Sequence, residues 1–353
     1  MTEETASWAA LTARLVRHED LEPAQAAWAM DEVMSGNSSP VQLAAFLVSL
    51  ESKGVTSREL GALADRMVAH ARPLDVERRA VDIVGTGGDM AQTVNISTMA
   101  SIIIAASGRR VIKHGNRAST SRSGSADVLD ALGVRLDLPV EDTVRVLDEV
   151  GIAFLFAQVF HPSMRFAAEA RKGLGIPSVF NVLGPITNPA RPLASAVGVA
   201  NRTMAPTIAQ VFAGRGTSAL VFRGQDGLDE LSVGAPSDVW EVRGGQVRQH
   251  LLDPEELLGV PRHGIEALRG GTAEDNADVA RGLYEGTGSA AVRDAVLLNA
   301  AAGLLAHDGI DDPSPEGDFE DRFRGAFAEA TRVLDSGAPA RLLADWARAA
   351  ARN

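Results

Sequence analysis

Apolar and polar positions change rhythm near residue 80. Before that point they recur at helical spacing, and nothing alternates as a strand would. Leu60, Leu63, Met67 and Val68 share one face of a helix opened by Thr56-Ser57-Arg58-Glu59, a capping box. Ser39-Pro40-Val41-Gln42 repeats that logic, with proline at the first helical position, where its missing N–H is no loss. Another helix is expected over Pro23–Met34, stopping at Gly36-Asn37-Ser38. Residues 1–76 therefore read as a small helical domain, with 71–80 as the link onward.

From Val81 short β-branched runs end in glycine or polar loops and alternate with helical stretches. The runs are Val81–Val84, Val111-Ile112, Val134–Leu138, Ile152–Phe156, Ala196–Val199 and Ala219–Phe222. Such alternation predicts an α/β domain over 77–353 whose mainly parallel central sheet is covered on both faces. Asp238–Val242 and Gln246–Leu251, joined through Gly244-Gly245, predict an antiparallel hairpin. Asp278 to Arg352 reads as mostly helix, interrupted by a solvated acidic loop at Asp311–Glu316.

Composition narrows the function classes. The 353 residues carry 34 Lys and Arg against 46 Asp and Glu, a net charge of −12. That balance argues against sequence-independent nucleic-acid binding, which relies on basic side chains displacing counterions. There is no cysteine, so disulfides, thiolate metal sites and a cysteine nucleophile are excluded. The longest apolar run, near Met99–Ala106, is too short to span a bilayer. With an acidic start at Met1-Thr2-Glu3-Glu4 and no leader-like stretch, the expected setting is cytoplasmic.

The chemistry concentrates at strand ends. Gly85-Thr86-Gly87-Gly88-Asp89 follows the first strand, and Asn95-Ile96-Ser97-Thr98 heads an apolar helix. Glycines there let backbone N–H groups approach a phosphate, and the helix start adds free donors. Alone, such a turn is equally a tight strand-to-helix connection. The segment is neither a Walker loop nor a Rossmann fingerprint, because Met90 stands where a third glycine belongs. Lys113-His114-Gly115-Asn116-Arg117 follows the second strand and leads through Ala118, Ser119, Thr120 and Ser121 to Ser125. Two anion-friendly loops at neighbouring strand ends imply a ligand with two separated phosphate groups. Asp229-Glu230, ordinary surface acids by themselves, become candidate Mg²⁺ ligands opposite such a pocket, and the Ser97 hydroxyl suits a second ion. His161 before Pro162, and Arg171 on a helix, carry no signal of their own.

In this order, Gly85-Thr86-Gly87-Gly88-Asp89, Asn95-Ile96-Ser97-Thr98, Lys113-His114-Gly115-Asn116-Arg117, Gly124-Ser125-Ala126-Asp127, Asn181-Val182-Leu183-Gly184-Pro185 and Gly227-Leu228-Asp229-Glu230 resemble the anthranilate phosphoribosyltransferase family over nearly the whole chain. The resemblance implies a nucleoside phosphorylase/phosphoribosyltransferase-like fold, the helical domain being joined by returning helices near 161–180. It implies a homodimer formed through helical-domain contacts. It also implies transfer of the phosphoribosyl group of 5-phosphoribosyl-1-diphosphate (PRPP) to anthranilate, with diphosphate released. Gly85, Gly88, Asp89, Thr93, Asn95, Ile96, Ser97 and Thr98 would line the PRPP site. Lys113, His114, Gly115, Asn116, Arg117, Ala118, Ser119, Thr120, Ser121 and Ser125 would complete it. Ser97, Asp229 and Glu230 would hold magnesium, two ions in all. Gly85, Asn116 and Arg171 would contact anthranilate, with His114 and His161 at its entrance. No covalent nucleophile is implied.

Three departures from the family pattern, Met90, Gln158 and Phe166, leave these residues intact and bear on acceptor access. Two other readings compete. A pyrimidine nucleoside phosphorylase shares the fold, but Asn116 and the Asp229-Glu230 pair suit a metal–diphosphate donor better than free phosphate. A non-catalytic nucleic-acid-binding relative would be expected to lose those acids and gain basic surface.

Overall fold

The computed structural model describes residues 6–118 and 122–352, and the chain divides into two units. The first comprises Met1–Pro73 and Ala157–Pro189, the second Leu74–Phe156 and Ala190–Asn353. The first segment thus ends slightly before residue 76, and the returning stretch is wider than 161–180.

The helical unit is built from α1 (Trp8–Val16), α2 (Pro23–Met34), α3 (Pro40–Lys53) and α4 (Ser57–Ala69), with α1 packed on α3 and α2 on α4. Both expected capping boxes form. In the second, Glu59 does more than cap. It is wholly buried and accepts hydrogen bonds from the backbone N–H groups of Thr56 and Leu21, each at 2.8 Å. The Lys53 ammonium, also 2.8 Å away, supplies its counter-charge. The returning stretch contributes the helix Ala168–Leu174, laid against α3, and two short helical turns over Phe180–Leu183 and Gly184–Ile186.

The second unit is a seven-stranded sheet. Its strands are β1 (Val81–Gly85), β2 (Val111–Gly115), β3 (Ile152–Phe156), β4 (Ala194–Gly198), β5 (Ser218–Gly224), β6 (Ser237–Arg243) and β7 (Gln246–Leu252). They lie in the order β3-β2-β1-β4-β5-β6-β7. The first five are parallel, and β6 and β7 are antiparallel, joined through left-handed Gly244 and Gly245 as the hairpin pattern predicted. Parallel strands need both faces covered. The helix Ala290–Asp308 packs on β1, β4 and β5, and the helix Met204–Gly214 packs on β5 and β6. Between β1 and β2 runs α5 (Ile96–Ala106), apolar nearly all round and buried accordingly. Two helices, α6 (Ser125–Ala131) and α7 (Val140–Val150), connect β2 to β3.

One expected strand is absent. Val134–Leu138 alternates in burial as a strand would, but it joins no ladder among the described residues and is the connection between α6 and α7. Its buried Val134, Leu136 and Leu138 line a small cleft together with Val146, Phe154 and Trp346. Side-chain burial, not strand pairing, accounts for the alternation.

Candidate active site

Strand order reverses at β1, whose neighbours β2 and β4 leave in opposite directions along the sheet. The carboxyl ends flanking such a reversal are where open α/β sheets bind ligands. The motifs of this unit that resembled the family lie at the carboxyl ends of β1, β2 and β5, in the loops that leave them or at the helix starts that follow.

The β1 loop turns sharply. Gly87 and Gly88 have φ of 69° and 87°, and so, unusually for side-chain-bearing residues, do Met90 (62°) and Gln92 (54°) lie in the left-handed region. Met90 occupies the place of the missing glycine with a glycine-like backbone, and its side chain is exposed. The loop ends where Thr93 bridges Arg269 and α5 begins. Asn95 stands at the N-cap of α5 but makes no side-chain cap there. Ile96 is buried and offers only its backbone. The Thr98 hydroxyl is buried with no hydrogen-bond partner among the described residues. A buried hydroxyl in that state carries a desolvation cost that a ligand atom would relieve.

Asp229 and Glu230 reach the same edge from the loop after β5. Gly85 and Gly198 are register partners at the ends of β1 and β4, and the absence of a Cβ at both admits the Asp229 backbone and carboxylate over the sheet. Asp229 accepts the Gly87 N–H at 2.7 Å and meets the Asp89 carboxyl across a hydrogen bond. Burial, reinforced by the Asp89 charge, raises the Asp229 carboxyl above the usual range. Burial and then Asp229 do the same to Glu230, which accepts the Ser97 N–H at the head of α5. Behind the pair, Asn299 is wholly buried and grips the next residue, Leu231, by its N–H at 3.1 Å and its carbonyl at 3.2 Å.

Lys113, on β2, is also buried. Its ammonium donates to the Ile83 carbonyl and to Ser97 Oγ at 3.2 Å. Burial depresses its pKa, against the pull of Asp82 and Glu230. His114 is buried, its backbone N–H donating to Asp82 at 3.1 Å. Gly115 ends β2, and Asn116 beyond it is exposed. Arg117 directs its guanidinium to Asp127 (2.7 Å) and Asp130 (2.5 Å) and lies over the Phe156 ring. Ala118 donates its N–H to Asp127 at 3.0 Å, and Ser125 Oγ donates to the Asn116 carbonyl at 3.3 Å. Ser119, Thr120 and Ser121 lie outside the described residues.

The remaining two predicted residues belong to the helical unit. His161 is buried, its Nε2 is 3.0 Å from the Thr187 carbonyl, and burial lowers its pKa to about 4. It is therefore a neutral donor that ties the two ends of the returning stretch together. Arg171 is exposed, sits over the Phe180 ring with its guanidinium carbon 5.2 Å from the centroid, and forms no ion pair among the described residues. Partial burial lowers its pKa. Phe166 packs against left-handed Gly36, with Arg165 over its ring.

Sequence reasoning missed Gly198 and Asn299. Neither belongs to a motif, and only the register of β1 with β4 marks Gly198.

Residues 77–340 match the glycosyl transferase family a/b domain, and residues 9–71 match the helical bundle domain of the same family. The protein is thus a two-unit glycosyl transferase with helical bundle and α/β parts. It is 54% identical over 340 residues to an anthranilate phosphoribosyltransferase from an Arthrobacter species, covering 96% of this chain and 95% of that one. A Nocardia farcinica relative of the same name is 53% identical, over 93% of this chain and 95% of that one. The crystal structure of anthranilate phosphoribosyltransferase from Thermus thermophilus superposes with a TM-score of 0.88 at 41% identity, covering 97% of this chain and 99% of that one. The chain belongs to the anthranilate phosphoribosyltransferase family.

Proposed function

We propose that this enzyme transfers the 5-phosphoribosyl group of PRPP to the amine of anthranilate, releasing diphosphate, as a step toward tryptophan. The observation that carries the residue assignment is the buried Asp229-Glu230 pair, set against Asp89, Lys113 and the head of α5 at the sheet's point of reversal.

That donor set fits magnesium. Its oxygens are hard, and its two buried carboxylates, raised by burial and then by neighbouring negative charge, would be relieved by a bound cation. No three acidic or histidine side chains form a closed metal cage among the described residues. Magnesium is commonly held by one or two carboxylates, with substrate phosphate and water completing its shell. Asp229 and Glu230 would hold one ion and Ser97 would serve a second. When bound, magnesium neutralises charge on the departing diphosphate.

The chain's own residues do the rest. Backbone N–H groups of the β1 loop and of α5, the orphaned Thr98 hydroxyl and the Lys113 ammonium receive phosphate oxygens. The ribose carbon–oxygen bond to diphosphate breaks with oxocarbenium character, the anthranilate nitrogen forms the new bond, and the proton it loses leaves with the diphosphate or to water. Positioning, not a strong base, drives that attack. Arg171, braced on Phe180 and without an ion pair among the described residues, would receive the anthranilate carboxylate through its planar fork. His161 acts by holding the returning stretch in place. A homodimer through the helical unit is supported by Val41 and Val48, seven residues apart on one face of α3 and 78% and 42% exposed.

The test is direct. Protein, Mg²⁺, PRPP and anthranilate should together extinguish anthranilate fluorescence, and Glu230→Gln should blunt the magnesium dependence. Persistence of the fluorescence with the wild-type protein overturns the reading.

A further inference from the structure

Asn95 stands where its side chain would cap α5, yet the cap is not made. The side chain points elsewhere. Its Nδ2 donates to the Ser123 carbonyl at 3.2 Å, in the loop that follows β2. Its Oδ1 accepts from Asn276 Nδ2 at 2.8 Å. Asn276, on the helix Ala273–Tyr284, is only 3% exposed, and its Oδ1 accepts the Gly271 N–H at 2.8 Å. The chain of bonds fixes every amide orientation. The Gly271 donor requires Asn276 to present its oxygen there, so its nitrogen faces Asn95. Asn95 then offers oxygen to Asn276 and nitrogen to the Ser123 carbonyl.

The surroundings reinforce the link. Residues 92–94 pair through the backbone with 268–270: Gly270 donates to Gln92 at 2.8 Å, Val94 donates to Leu268 at 2.9 Å, and Thr93 bridges Arg269. The helix Ala273–Tyr284 also packs on α6, where Arg281 donates to the Ala131 carbonyl at 2.8 Å. One helix therefore touches the supports of both anion loops, and the Asn276–Asn95–Ser123 relay joins the loops themselves.

We propose that this amide relay is a strut setting the distance between the two phosphate-binding loops, which makes Asn276 a positioning residue for the phosphoribosyl donor without touching it. The proposal rests on the reading that the two loops hold the separate phosphate groups of PRPP. A ligand gripped at both ends binds more tightly than either end alone only while the two half-sites keep its span. Breaking the strut should therefore spare each half-site and penalise the ligand that bridges them.

The experiment is calorimetry on the intact enzyme with PRPP, with inorganic diphosphate and with ribose 5-phosphate, each with Mg²⁺. Asn276→Asp keeps the acceptor for Gly271 and removes the donor to Asn95. Asn276→Ala removes both and serves as the second variant should the aspartate compromise folding, which a melting curve reports. Expected is a loss of about tenfold in PRPP affinity with each fragment within about twofold of wild type, and a KM for PRPP that rises while that for anthranilate at saturating PRPP holds. Equal weakening of fragments and PRPP, or unchanged PRPP affinity in both variants, overturns the strut. Failure of the wild-type enzyme to bind PRPP overturns the functional reading instead, so the two failures are distinguishable.

Discussion

Gly198→Ala should disable the enzyme although residue 198 belongs to no motif. A Cβ built there falls 2.5 Å from the Asp229 carbonyl carbon, whereas carbon atoms pack best at about 3.5–4.0 Å. The Asp229 carbonyl oxygen lies nearer still, so relief requires the strand end and the Asp229 backbone to part by more than about 1 Å, and backbone cannot rotate away as a side chain can. The residue displaced carries one of the two buried acids, and its neighbour carries the other. A misplacement of about 1 Å at a catalytic constellation costs on the order of a hundredfold in rate, and overpacking costs about 1–3 kcal/mol of stability.

Gly85→Ala should be milder. Its Cβ falls 3.0 Å from the Asp229 side-chain carboxyl carbon. That group can swing aside, surrendering its 2.7 Å bond from the Gly87 N–H. Gly214→Ala is the control. It ends a helix with nothing within 4 Å of the added atom, so it should leave turnover alone and stabilise by about 0.4–1 kcal/mol. Anthranilate fluorescence under saturating PRPP and a magnesium titration give the rates, and denaturant melts give the stabilities. A Gly198→Ala enzyme within twofold of wild type, with an unshifted magnesium midpoint, would refute the reasoning.

Three further outcomes are expected. Arg171→Ala should raise KM for anthranilate by about ten- to a hundredfold, the worth of hydrogen bonds to a charged partner, with KM for PRPP little changed; steady-state kinetics in both substrates checks this. Lys53→Met should cost about 3–5 kcal/mol in urea unfolding, because it strands the wholly buried Glu59 carboxylate. His161 has a folded-state pKa of about 4 against roughly 6.5 unfolded, so the unfolded chain binds the extra proton between those values. Its contribution is complete above pH 6.5 and falls by about 3 kcal/mol as pH drops to 4. His161→Gln should flatten that part of the stability profile, and an unchanged slope in pH-dependent melts would contradict the assignment.

What the sequence disclosed follows the range of the interactions involved. The boxes Ser39 to Gln42 and Thr56 to Glu59 are bonds across three residues, and both form. The Gly244-Gly245 turn is equally local, and the pairing of β6 with β7 follows from it. Val134–Leu138 misled because alternation reports which side chains are buried, while a strand also needs a partner strand, and none of the described residues forms one beside it. Arg117 stands in a loop rich in hydroxyls, but Asp127 and Asp130, ten and thirteen residues further on in α6, occupy its guanidinium. The relay from Ser123 through Asn95 to Asn276 joins residues far apart in the chain, and no local spacing announces it.

Gly198 makes the same point from the opposite side. A glycine after a short apolar run signals the end of a strand and nothing more. Its meaning appears only when β4 lies beside β1 and Gly198 comes level with Gly85. Two adjacent strand ends, both lacking a Cβ, then open enough room for a distant acid-bearing loop to settle on the sheet edge. The position of Asp229 and Glu230 thus depends on what the neighbouring strands leave out. A residue that acts by omission leaves no chemical trace in its own stretch of sequence, which is why the acids were legible from their motif and the feature that places them was not.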